Sequence, residues 1–144
     1  MSPKEIFLQS LARCQERPDF IRRFYALFVA SSKEVAAKFR FTDFDRQERM
    51  LLKSLRLSAA ATEGDPDGLA ELTKRAETHD REHLDIKPAM YDLWLQSVIA
   101  AASEYDPRWD QEVAAAWNTI LGFVVLHMTR RYDPIAPRTI RHTH

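Results

Sequence analysis

The sequence is short of several things at once. Cysteine occurs once, at Cys14, so no internal disulfide can form and no cysteine cluster is there to hold zinc or iron–sulfur. Glycine occurs three times in 144 residues, and neither GxGxxG nor GxxxxGK(S/T) is present. Ordinary nucleotide enzymes, which cradle phosphate on such loops, are disfavoured. Net charge is missing too: 21 basic residues stand against 21 acidic ones, interleaved along the chain. That argues against nucleic acid or anionic membrane as the main partner, since both need a basic surface. Although 45% of residues are hydrophobic, they fall in short runs, none near the roughly 18 that a transmembrane helix needs. Met1-Ser2-Pro3-Lys4-Glu5 lacks the basic-then-apolar layout of a signal peptide. Together these absences point to a reducing cytoplasm and a domain with its own core.

What the chain does have is helical periodicity. Ser2, Pro3 and Glu5 form a helix start, followed by a stripe of Phe7, Leu8, Leu11 and Cys14. After Pro18, a second helix runs to about Ser31, with Phe20, Ile21, Phe24, Tyr25, Leu27 and Phe28 on a wide aromatic face. Lys33 to Phe39 predicts a short helix. Thr42 or Asp43 caps a longer one to about Ala61, whose stripe is Phe44, Gln47, Leu51, Ser54 and Ser58. Thr62 to Gly68 (TEGDPDG) reads as a loop. The next helix carries Leu69, Leu72 and Ala76 up to His79, then breaks towards Ile86-Lys87-Pro88. Pro88 to about Tyr105 places Tyr91, Leu95, Val98 and Ala102 on one face, and Asp106-Pro107 is expected to end it and cap the last helix. Val113, Trp117, Leu121, Val124 and Met128 stripe that last helix, and residues 133–144 read as a frayed tail. No stretch alternates at period two. The class is therefore all-α, about seven to eight helices over residues 1–132 with a flexible tail beyond.

Three polar residues sit where apolar ones are expected. A buried imidazole is costly unless something takes its nitrogen lone pair, and a metal is the strongest such partner. His79 closes an apolar stripe, although His83 lies one helical turn further and the stripe alone does not choose between them. Gln47 lies between Phe44 and Leu51, where a buried amide would need partners. Tyr25 lies on the aromatic face. Each also has a plain reading: a hydrogen-bonded core tyrosine, a water-facing glutamine, a histidine at a helix end. Taken together they describe apolar walls, one nitrogen ligand and two hydrogen-bond donors. That is what holding a gas on haem iron requires.

The order of these features resembles the globins, and among them the bacterial single-domain globins similar to the haem domain of flavohaemoglobins. The segments that carry the resemblance are Phe24-Tyr25-x-x-Phe28, Glu34-Val35, Phe39 and Thr42-Asp43-Phe44-x-x-Gln47-x-x-Met50-Leu51. Leu72, Ala76 and His79, then Ile86-Lys87-Pro88 with Tyr91, then Glu104-Tyr105-Asp106-Pro107 and Trp117 continue it, so the match spans roughly Ile6 to Tyr132. The resemblance implies haem b, with His79 as the proximal iron ligand. It implies Tyr25 and Gln47 as the distal, catalytic pair, and Phe39 as the ring that wedges the haem. Leu51, Ile86, Tyr91 and Val98 would complete the lining.

Dioxygen, nitric oxide or carbon monoxide would be the partners. A tyrosine O–H aimed at a bound gas carrying partial negative charge is worth about 1–3 kcal/mol, so tight binding and slow release are expected. Nitric oxide dioxygenation is the enzymatic use implied, in which dioxygen and nitric oxide give nitrate. Storage or gas sensing is the alternative. In flavohaemoglobins a glutamate from the last helix joins the proximal tyrosine, but here the segment around Arg130 to Pro134 reads RRYDP. Flavin and nicotinamide domains are not found before His144, so repeated turnover is expected to need a separate reductase. A monomer or a homodimer would both suit the composition.

Overall fold

The computed structural model describes residues 1–79 and 84–132; His83 and the tail, residues 133–144, lie outside the described residues. Within them are seven α-helices and no strand. The all-α expectation holds. Helix α1 (Pro3–Gln15) starts where Ser2 Oγ accepts the Glu5 N–H at 3.2 Å, with Pro3 in the first turn, where a missing N–H costs nothing. Helix α2 (Phe20–Ala30) buries Phe20, Ile21, Phe24, Tyr25 and Phe28 on one side. Helix α3 (Lys33–Lys38) is capped by Ser32 and ends at Phe39. Helix α4 (Phe44–Ala61) takes Asp43, not Thr42, as its cap, through the Arg46 N–H.

Helix α5 (Pro66–His79) begins earlier than the sequence suggests. Pro66 and Gly68, read as loop residues, lie in its first turn, and Asp65 Oδ2 accepts the Gly68 N–H at 2.9 Å. The reason is steric. A Cβ at position 68 would come within 2.4 Å of the Leu57 carbonyl oxygen and 2.6 Å of the Ala61 nitrogen. Glycine is therefore the residue that lets α5 approach α4 so closely, and the breaker signal marks a helix–helix contact.

Helix α6 (Pro88–Tyr105) starts on its proline, and α7 (Gln111–Tyr132) is capped by Asp110, whose Oδ1 accepts the Val113 N–H at 2.8 Å. Asp106 ends α6 as expected, but it does not cap α7. Its side chain turns inward and is 3% exposed. Ser10 donates to Oδ2 at 2.6 Å, Arg13 Nε to Oδ1 at 2.6 Å and Arg13 Nη2 to Oδ2 at 2.9 Å. The Arg108 N–H reaches Oδ1 at 2.8 Å, and the Trp117 indole N–H donates to Ser10 Oγ at 2.9 Å. Burial alone would raise the Asp106 carboxyl, but the Arg13 and Ser10 bonds outweigh it and hold the group below its usual range.

The helices pack in a closed circuit. α1 lies against α4, α6 and α7, α2 against α3, α4 and α6, and α5 against α4 and α7. α7 is long and apolar enough to cross a membrane by length and composition alone. Its inward stripe of Val113, Ala116, Trp117, Ile120, Leu121, Val124 and Met128 is buried against the other helices, as the core helix of a globule would be.

Candidate functional site

Two groups of predicted residues come together, and α6 carries a contact to each. The first gathers around Tyr25. α2 holds this side chain inward by the same periodicity that buries Phe24 and Phe28, leaving it 7% exposed. Its ring meets Phe39 at 5.6 Å and Phe44 at 5.4 Å, both edge-on, and Phe28 meets Phe39 at 5.6 Å. These are favourable aromatic geometries, and they fix the phenol's direction. Its hydroxyl donates to Gln47 Oε1 at 3.5 Å, a long bond. Burial, aided by Glu48, pushes the phenol's ionisation well above the usual tyrosine range. Tyr25 is thus a neutral O–H donor at any physiological pH. Leu51, one turn after Gln47, packs half-buried against the core.

The second group gathers around His79, the last residue of α5, where Leu72 and Ala76 are buried on the preceding turns. Its Nδ1 lies 3.4 Å from the Tyr91 hydroxyl, the imidazole's one hydrogen-bond contact among the described residues. Burial, with a smaller contribution from Arg75, pushes the imidazole down to about 4. The ring is neutral at pH 7, the form that ligates metals. In the tautomer whose Nδ1–H donates to the Tyr91 oxygen, Nε2 keeps its lone pair for a ligand. No group of three His, Cys, Asp or Glu among the described residues could hold a free metal ion. A solitary neutral imidazole fits an iron whose other positions a porphyrin already fills.

The connection into α6 is fastened from two sides. Ile86 N–H returns to the His79 carbonyl at 3.0 Å, and Asp85 holds a left-handed φ of 52°. Lys38 Nζ donates to the Leu84 carbonyl at 2.8 Å and Lys87 pairs with Glu34 at 2.9 Å, both tying the connection to α3. Tyr132, at the end of α7, donates to Asp85. Sequence reasoning missed this fastening, because long-range pairs between exposed charges leave no periodic trace. Ile86 is half-buried against the core and Val98 fully buried on α6.

Among the described residues, no hydrogen bond or ring contact joins His79 directly to Tyr25, Gln47 or Phe39. The link runs through α6, which carries Tyr91 beside His79 and Trp94 edge-on to Phe24 at 6.4 Å. A cavity of about 430 Å³ is lined by Arg22, Tyr25, Ala26, Val29, Ala30 and Phe44. A second lies between α4 and α5, lined by Lys53, Leu57, Asp67, Ala70, Glu71 and Lys74. His79 lines neither.

An all-helical chain with a neutral histidine at the end of one helix, and a buried tyrosine beside a half-buried glutamine on two others, is compatible with a globin. The globin family model matches residues 22–128, and the chain belongs to that family. Globin membership carries haem binding and, with it, binding of diatomic gases such as dioxygen. Among solved structures the chain is similar to protein PA3967 from Pseudomonas aeruginosa PAO1, a protein described as structurally highly homologous to a human haemoglobin. Identity is 31% over 91% of this chain and 98% of that one, with a TM-score of 0.86. No curated protein matches the chain.

Proposed function

We propose that residues 1–132 form a cytoplasmic haem b domain, with His79 as the proximal iron ligand and Tyr25 and Gln47 holding a diatomic gas on the opposite side. The observation that carries this reading is the Tyr25–Gln47 pair, a buried phenol and a half-buried amide joined by a 3.5 Å bond. A contact that long is easily given up. Tyr25 can swing its O–H to a gas molecule without losing a strong bond, while Gln47 keeps its amide N–H groups free to donate. Haem supplies the iron that takes the gas. Phe39, Leu51, Ile86 and Val98 supply apolar walls that exclude water and strengthen each hydrogen bond inside.

The proximal side supports the same reading with a qualification on chemistry. Tyr91 contacts His79 as the flavohaemoglobin pattern implies, and its phenol is pushed well above the usual tyrosine range by burial. In that pattern a last-helix glutamate joins the pair; here Arg131 reaches Glu77 and Tyr132 reaches Asp85 instead. A neutral phenol pushes less electron density through the imidazole towards an iron than a carboxylate-backed one would. Holding dioxygen, or combining it with nitric oxide to give nitrate, suits this arrangement better than peroxidase-like activation. Nitrate formation consumes one electron per turnover, which a separate reductase would deliver. Storage or sensing without turnover is the second reading, and it is favoured by a Tyr91–His79 pair that no carboxylate joins among the described residues.

The test is direct. Purified protein is expected to be red, with a haem absorption band that shifts under carbon monoxide. Colourless protein that takes up no added haem would end the reading. Rapid nitrate formation with an added reductase separates detoxification from storage.

A further inference from the structure

Between Glu112 and Arg130, α7 carries no Asp, Glu, Lys or Arg, although one of its faces is turned to solvent. Ala115, Thr119, Gly122 and Leu126 follow one another on that face at steps of four, three and four, with Phe123 beside them. Phe123 is 36% exposed and Leu126 48%. The solvent face of α4 is the opposite, a row of Arg46, Arg49, Lys53 and Arg56. Gly122 is the odd member of the α7 face. Glycine in mid-helix weakens the helix, and a Cβ at position 122 would meet nothing within 4 Å. Gly68 is required by the α4 backbone pressed against it; no described part of the chain requires Gly122.

The face is also ordered by size. Its small residues, Ala115, Thr119 and Gly122, occupy the N-terminal half, and its large ones, Phe123 and Leu126, the C-terminal half. A second copy of the same helix laid antiparallel sets large against small along the whole face. Phe123 falls opposite Thr119, and Leu126 beside Ala115. The centre of that pairing lies level with Leu121 and Gly122, which is also midway between Glu112 and Arg130. One twofold axis therefore brings Glu112 of each copy against Arg130 of the other, as a self-complementary contact requires. Arg131 is already taken by Glu77 at 3.3 Å, whereas Glu112 and Arg130 form no ion pair among the described residues. We propose that this face of α7 is the contact between two copies of the chain, packed antiparallel about Gly122, whose missing side chain lets the helices approach. Neither the face nor the pairing depends on haem.

Sedimentation equilibrium on the full chain tests the contact. A dimer is expected with a Kd on the order of 10 μM, because one helix pair buries less than a standard interface. Gly122→Trp puts an indole where the second copy would lie, in space its own chain leaves open, so the fold is kept and the Kd should rise at least tenfold. Leu126→Glu, at a position already half in solvent, should do the same. Arg130→Glu sets like charges against each other and should weaken the dimer at least threefold. Adding Glu112→Arg to it restores opposite charges and should return the Kd to within about twofold of the unaltered chain, a rescue that a role inside one chain would not produce. A chain that stays monomeric at millimolar concentration would overturn the proposal. So would a dimer that both Gly122→Trp and Leu126→Glu leave intact, or a charge-swapped double variant no tighter than Arg130→Glu alone.

Discussion

The two ends of the molecule treat buried polar groups in opposite ways. Where α1, α6 and α7 meet, Asp106, Ser10, Arg13 and Trp117 form a closed set with bonds of 2.6 to 2.9 Å. Ser10 and Trp117 are both 0% exposed, and the hydroxyl and the indole N–H are both bonded. Around Tyr25 and His79 the polar contacts are 3.5 and 3.4 Å, and each leaves a donor or a lone pair unspent. Saturated groups lock helices together; groups left short of partners are available to something else. The difference sets the end that holds the fold apart from the end proposed to bind the gas.

Mutations should break that contrast in graded fashion. Asp106→Ala leaves Arg13 half-buried and unpaired and is expected to cost about 3–5 kcal/mol in urea unfolding, as removal of one partner from a buried pair does. Gly68→Ala should cost about 1–3 kcal/mol, because the new Cβ meets the backbone of α4 and not a yielding side chain. Tyr25→Phe should hardly move the unfolding midpoint but raise the dioxygen release rate at least tenfold, about 1.4 kcal/mol; an unchanged rate in stopped-flow measurements would remove Tyr25 from its role.

The smallest effect is a pH dependence. Asp106 titrates below its ordinary value of 3.8 in the folded chain. The unfolded chain therefore takes up the proton first as pH falls, and the stability contributed by this group is present above about pH 4 and lost below it. Asp106→Asn should flatten that part of the stability–pH curve. A curve that keeps its slope would place the acid sensitivity elsewhere.

Much of this was legible in the sequence, for a physical reason. Helix stripes are local, so the faces of α2, α6 and α7, with Phe24, Val98 and Trp117 buried, follow from spacing alone. Tyr25, Gln47 and His79 stood out because they break such stripes. What could not be read were properties that depend on a distant element. Gly68 looks like a loop residue until α4 lies across it, and Asp106 looks like a helix cap until Ser10 and Arg13 arrive from residues far back in the chain. Ser10 itself gave no signal, since one small hydroxyl on an apolar helix is unremarkable. The fastening of Asp85 and Lys87 by Tyr132 and Glu34 is invisible for the same reason.

The central claim is that the available imidazole at the end of α5 is the iron ligand. It is tested most directly by haem uptake in His79→Ala and His83→Ala, prepared side by side and titrated with haem while the absorption band is followed. The account predicts that His79→Ala loses or greatly weakens haem binding, with recovery when imidazole is added, and that His83→Ala binds as the unaltered protein does. Normal uptake by His79→Ala, with loss in His83→Ala, would contradict it.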